Sequence, residues 1–130
     1  MQVSDEGVLL PDPYDADCPS RDVLDRIGDR WTVLVVGSLS SGPLRFSELG
    51  RRISGISQKM LTQTLRALER DGLVKRTVHA EVPPRVEYEL TEPGRTLIAP
   101  LASLDAWARA HMTGILESRT RYDEAGATAR

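Results

Sequence analysis

Residues 56–90 read as a helix that stops at a glycine and runs directly into two strands. Ser57 stands where a cap is needed, its hydroxyl placed to accept a free backbone N–H, a contact worth about 1 kcal/mol. Met60, Leu61, Leu65 and Leu68 recur at helical spacing and define a core face. Gly72 follows the last turn, where a left-handed residue ends a helix at least cost. Val74 to His79 and Arg85 to Leu90 are strand candidates. In the second, Val86, Tyr88 and Leu90 alternate with Arg85, Glu87 and Glu89, the period of a half-buried strand. The connection, residues 80–84, is too long for a tight turn, and Pro83 and Pro84 stiffen it and remove backbone donors, so it projects as a wing.

Upstream, Phe46, Leu49 and Ile53 repeat at helical spacing, and Ser54-Gly55 supplies a turn before Ser57. Two helices joined by a short turn containing glycine form a helix-turn-helix. With the hairpin behind it, the expected architecture is a winged helix-turn-helix, mainly α with a small β-hairpin wing. Residues 31–39 are apolar on nearly every side and belong at the centre of the fold. Before them, Ser20 is placed to cap a short helix carrying Val23, Leu24 and Ile27, with Asp22 at its positive end, and Gly28 and Asp29 break it. Ser40-Ser41-Gly42-Pro43 is a stop signal. Thr91 caps a long helix bearing Leu97, Leu101, Leu104 and Ala108, with Trp107 nearby, and a short last helix holds Met112, Ile115 and Leu116. The expected division is an arm over 1–17, one winged-helix domain with extra N- and C-terminal dimerisation helices over 18–117, and a flexible tail over 118–130.

Charge is distributed unevenly. Residues 1–30 carry a balance of −5, residues 31–44 none, residues 45–85 +5 and residues 86–130 −2. A local positive field steers a polyanion even when the total is slightly negative. No apolar run approaches the roughly 20 residues a membrane helix needs. The acidic start lacks a signal-peptide layout, so the expectation is a cytoplasmic protein without membrane contact. The single cysteine, Cys18, excludes an intrachain disulfide and a cysteine-rich zinc site. His79 and His111 lack metal-binding spacing, no phosphate-binding glycine loop occurs, and Cys18 has no evident histidine partner. No catalytic residue, metal ligand or cofactor site is therefore assigned, and an enzyme is the least favoured class.

On the helix after Ser57, positions 59, 62, 63, 66 and 70 share the face opposite the core. The set Ser57, Gln58, Lys59, Thr62, Gln63 and Arg66 suits the major groove of double-stranded DNA. Gln63 matches adenine N6/N7, Arg66 or Lys59 matches guanine O6/N7, and Ser57 with the helix N-terminus suits a phosphate. The bland reading pairs Arg66 and Arg70 with Glu69 or Asp71 in solvent. Arg85 is expected at the wing tip, entering the minor groove or holding a phosphate. Arg76 is either a DNA contact or a structural ion-pair partner.

The ordered series Cys18-Pro19, Ile27-Gly28-Asp29-Arg30-Trp31-Thr32, Gly42-Pro43, Arg45-Phe46-Ser47-Glu48-Leu49, Gly55-Ile56-Ser57, Lys59-Met60-Leu61, Asp71-Gly72-Leu73-Val74 and Val82-Pro83-Pro84-Arg85-Val86-Glu87-Tyr88 resembles the HxlR family of bacterial transcription regulators, relatives of the MarR group. The resemblance spans roughly residues 18–107. It implies a homodimer on a pseudo-palindromic operator. It also implies a possible sensor of electrophiles or oxidants in Cys18, since some members use the cysteine before the first helix in this way. Gln58 departs from a common proline, adding a polar group at the helix start, and His79 departs from a common aromatic residue at the base of the wing.

Electrostatics leave the thiol undecided. A helix N-terminus and Arg21 favour the thiolate, while Asp15, Asp17 and Asp22 oppose it. For the dimer, Leu97, Leu101, Leu104 and Trp107 either meet a partner or pack on Trp31 and Val35 of the same chain. Two rival readings stand beside redox control: a regulator with a small-molecule pocket at the dimer interface, and a winged helix used only for protein contacts.

Overall fold

The computed structural model describes residues 2–3, 9–10, 14–15, 17 and 19–128. Cys18 lies outside the described residues. A two-residue pair, β1 (Gln2–Val3) with β2 (Leu9–Leu10), precedes the helical body. The body follows as α1 (Pro19–Gly28), α2 (Arg30–Leu39), β3 (Leu44–Arg45), α3 (Phe46–Arg52), α4 (Gln58–Arg70), β4 (Val74–His79), β5 (Arg85–Leu90), α5 (Glu92–Arg95) and α6 (Ile98–Thr128).

α2 is the hub, as its apolar circumference requires. Val35, Val36 and Leu39 are fully buried and it packs against α1, α3, α4, β5 and α6. Around it lie Leu49 and Ile53 of the α3 region, Leu61, Leu65 and Leu68 of α4, Val74, Leu90 and Leu101. Each such leucine stabilises the fold by about 2 kcal/mol relative to exposure. Asp29 does more than end the preceding helix: its Oδ1 accepts from the N–H groups of Trp31 at 2.8 Å and Thr32 at 3.3 Å, so it caps α2.

α4 begins and ends as its sequence requires. Ser57 Oγ accepts the Met60 N–H at 3.0 Å. At the other end Gly72 adopts φ +75°, and the Gly72 and Leu73 N–H groups bond the Glu69 and Leu68 carbonyls, the paired closure of a Schellman turn. The chain then enters β4 directly. β4 and β5 pair antiparallel from Val74↔Leu90 to His79↔Arg85, and β3 joins the far edge of β5, giving the order β3-β5-β4. The third strand is short and leaves no alternation to read in the sequence.

The C-terminal third departs from expectation. Thr91 caps only the four-residue α5, its Oγ1 accepting the Gly94 N–H at 3.2 Å and donating to the Gly72 carbonyl at 2.6 Å. The Thr91 N–H also bonds the Leu73 carbonyl at 3.0 Å, so α5 is clamped on the turn that ends α4. After a break, α6 runs unbroken for 31 residues, roughly 46 Å at 1.5 Å per residue. Met112, Ile115 and Leu116 belong to it rather than to a separate helix, and residues 118–128, read from composition as a flexible tail, are helical. Small and polar residues weaken side-chain packing, yet nothing in 118–128 interrupts the i→i−4 bonds: no proline follows Pro100. At the other end, α1 begins at Pro19, one residue ahead of the expected Ser20 cap.

Candidate nucleic-acid interface

The turn between α3 and α4 sets the presentation of α4. Its buried side faces α2, and Gln58, Lys59, Gln63, Arg66 and Arg70 are exposed on the other side, with Thr62 half-buried. Among the described residues none of these cations lies in an ion pair with a carboxylate. Asp71 instead meets Arg26 of α1 across 3.7 Å, tying the end of α4 to the N-terminal helix. The solvent-pairing alternative for Arg66 and Arg70 is thus absent.

Ser57 is engaged as a cap, and its hydroxyl hydrogen remains to donate to an anion. The first-turn N–H groups of Gln58 and Lys59 have no helical acceptor, and Arg51 of α3 shares a recess of about 250 Å³ with Ser57 and Gln58. A phosphate there would meet backbone donors and a guanidinium together. Sequence reading counted Arg51 in the basic stretch without a role. Its signal was its position in the last turn of the preceding helix, which only the turn geometry brings to Ser57. On the other flank, Thr62, Arg66, Glu69, Arg76 and Tyr88 line a recess of about 390 Å³ between α4 and the sheet. Arg76 sits opposite Tyr88 on this side and has no carboxylate within ion-pair distance among the described residues, so it extends the positive face.

The wing differs from expectation. Arg85 is not at the tip. It opens β5 opposite His79, and residues 80–84, with a cis Val82-Pro83 bond and a fully exposed Val82, lie beyond it. Arg85 Nη2 is 3.3 Å from Glu81 Oε1 and its Nε 3.2 Å from Glu87 Oε1. His79 Nε2 stands 3.6 Å from Glu87 Oε2. A pleated strand sends alternate side chains to one face, so Arg85 and Glu87 share the outer face and are drawn together.

Two further features bear on function. A cavity of about 710 Å³ lies between α2, the end of α3 and α6, lined by Val33, Ile53, Ile98 and Leu101 with Arg52 and the Asp105–Arg109 pair. Along α6, every side chain from residue 102 to 127 is exposed. Leu97 and Leu101 pack within the chain, but Leu104 and Trp107 are 59% and 57% exposed. Among the described residues no helix is long and apolar enough to cross a membrane, and no group of three or more His, Cys, Asp or Glu residues is arranged to hold a metal ion.

Residues 26–115 match the family model described as HxlR-like helix-turn-helix. The chain belongs to this family. The HxlR-like frame spans from the end of α1 to the middle of α6 and contains both the exposed face of α4 and the wing. The HTH-type transcriptional regulator YtfH of Escherichia coli strain K12 is 44% identical over 102 residues, covering 78% of this chain and 81% of the relative. Among solved structures, the transcriptional regulator ytfH from Salmonella typhimurium superposes with a TM-score of 0.79 at 40% identity, over 85% of this chain and 99% of that one. The redox regulator HypR in its oxidised form superposes with a TM-score of 0.66 at 43% identity, over 72% of this chain and 96% of that one. The protein is an HxlR-type, MarR-like, DNA-binding transcription regulator with a winged helix-turn-helix fold.

Proposed function

We propose that the protein acts as a homodimer on a pseudo-palindromic operator, with α4 of each protomer in the major groove and its affinity set by the oxidation state of Cys18. The observation that carries the groove reading is the exposed face of Gln58, Lys59, Gln63 and Arg66, free of carboxylate partners among the described residues. Gln63 and Arg66 reach base edges, Lys59 and Thr62 flank them, and Ser57 with Arg51 holds a phosphate. Redox control is favoured by the likeness to a redox regulator and by the position of Cys18 just before α1. A lone thiol per chain joins only a partner's cysteine or a small thiol. The Asp17 N–H bonds the Asp15 carboxylate at 2.9 Å and holds its pKa below the usual value, so a negative charge stands three residues from the thiol at neutral pH. Selection of bound fragments from random duplex DNA, with and without diamide, tests both parts. The parent enriches an inverted repeat and loses or shifts it on oxidation. Cys18→Ser enriches the same repeat under both conditions. A Cys18→Ser protein that responds to diamide like the parent rules out thiol control without touching the DNA reading.

The dimer reading rests on α6. Leu104 and Trp107 lie outside the intrachain core, and Met112 and Leu116 continue the exposed apolar surface along a helix that leaves the domain. Two copies packed along this helix cover it and set the distance between the two α4 helices. Sedimentation should give twice the 14.4 kDa chain mass. Leu104→Glu with Trp107→Ser should sediment as a folded monomer, because neither side chain contributes to the buried core. A parent that remains monomeric at tens of micromolar, or a double variant that remains dimeric, contradicts this interface. The cavity beside α6 favours a second reading in which an apolar effector binds under the dimer helix, since its volume lies in the range of ligand pockets.

A further inference from the structure

Of the lysines and arginines between residues 45 and 85, Arg85 alone is in an ion pair among the described residues, and it has two. Glu87 reaches it from two positions along the same strand, and Glu81 reaches it from the loop. Glu81 is not a random visitor: its N–H donates to the His79 carbonyl at 2.9 Å, which fixes the backbone that carries its carboxylate. The other ionisable groups on this face are Arg45, opposite Glu87 on β3, His79, within reach of Glu87 on β4, and farther along the strands Glu89 with Lys75 opposite it. Glu87 therefore has a second cationic neighbour in Arg45, whereas Glu81 has only Arg85 among the described residues.

We propose that Glu81 is a competitor for Arg85, occupying its guanidinium as a phosphate would and releasing it only to DNA that the α4 face already holds. The physical basis is exchange. Arg85 gains a phosphate by giving up the Glu81 carboxylate, so its net contribution is small, and the freed carboxylate repels the backbone it faces. Weak, sequence-independent encounters lack the groove contacts that would offset this loss. The carboxylate thus lowers affinity for arbitrary DNA and sharpens discrimination. This inference rests on the proposed groove reading.

The test uses the full-length protein and a labelled random-sequence duplex of about 30 base pairs, long enough for two half-sites. Glu81→Gln keeps the side-chain shape at a position half exposed to solvent. A surface ion pair shifts an equilibrium by up to about fivefold, so with two wings Glu81→Gln should bind the random duplex about three- to tenfold more tightly than the parent. Its log K against log salt should steepen by about one to two units as both arginines engage phosphate fully. Arg85→Ala should cost several-fold more in the Glu81→Gln background than in the parent. Unchanged or weaker binding by Glu81→Gln overturns the proposal and makes Glu81 a strut of the wing. Lys59→Ala separates the two levels: if it binds random and selected duplexes like the parent, the groove reading itself fails, whatever Glu81 does.

Discussion

On the proposed groove reading, Arg66→Ala should sharply weaken operator discrimination while leaving the protein folded. Arg66 is exposed, caps nothing and lies in no ion pair among the described residues, so its removal costs the core nothing. A bidentate contact to a base is worth about 1–3 kcal/mol of discrimination. In a twofold complex the loss occurs twice, so affinity for the selected operator should fall by about 2–6 kcal/mol, between roughly thirtyfold and twenty-thousandfold. Affinity for random duplex should fall far less, because a phosphate contact carries no sequence information. Competition titrations of the selected duplex against random duplex measure both. An equal loss on the two duplexes would make Arg66 a phosphate contact and leave base reading to Gln63 and Lys59. If about six phosphates are neutralised by the parent dimer, its log K should fall with log salt at a slope near −5.

Gly94→Ala should be strongly destabilising. Gly94 is buried in the short α5, and a Cβ there would fall inside van der Waals contact with the Leu73 carbonyl oxygen and 3.0 Å from its carbon. That oxygen is the acceptor for the Thr91 N–H, and the neighbouring Gly72 carbonyl accepts from Thr91 Oγ1. Backbone on backbone has no rotamer by which to yield. The substitution must push α5 off the α4–β4 turn, with overpacking costing about 1–3 kcal/mol and a lost buried bond about 1 kcal/mol more. Thermal unfolding should show Tm lower by about 10 °C. Gly114→Ala on α6, where an added Cβ meets nothing within 4 Å, should instead raise stability by about 0.5–1 kcal/mol. Since the α4–β4 turn also orients the wing, Gly94→Ala should weaken DNA binding at temperatures where the protein is still folded.

The elements with strong local signals were legible in the chain. Ser57, Gly72 and the alternating Val86, Tyr88 and Leu90 located α4, its end and β5, because capping and strand period act over a few residues. The polar face of α4 was legible for the same reason. β3 and α5 were not, because each is held by distant partners: β3 by β5, and α5 by the carbonyls of Gly72 and Leu73. The wing arginine was misplaced because a sequence shows Arg85 following two prolines but not that Glu81 and Glu87 converge on it. Composition also does not show that α6 continues through 118–128, since an exposed helix end looks polar and small whether it frays or continues.

By itself the sequence determined the order of elements, the family and the side chains that α4 turns away from the core, since periodicity, caps and a basic stretch are local properties of the chain. Only the tertiary structure decided which of those charges are available. Arg66 and Arg76 stand beside one recess with no carboxylate in ion-pair distance among the described residues, Asp71 is taken by Arg26, and Arg85 is held by two carboxylates. Electrostatic energy depends on distance through space, and folding sets those distances between residues that the chain keeps apart.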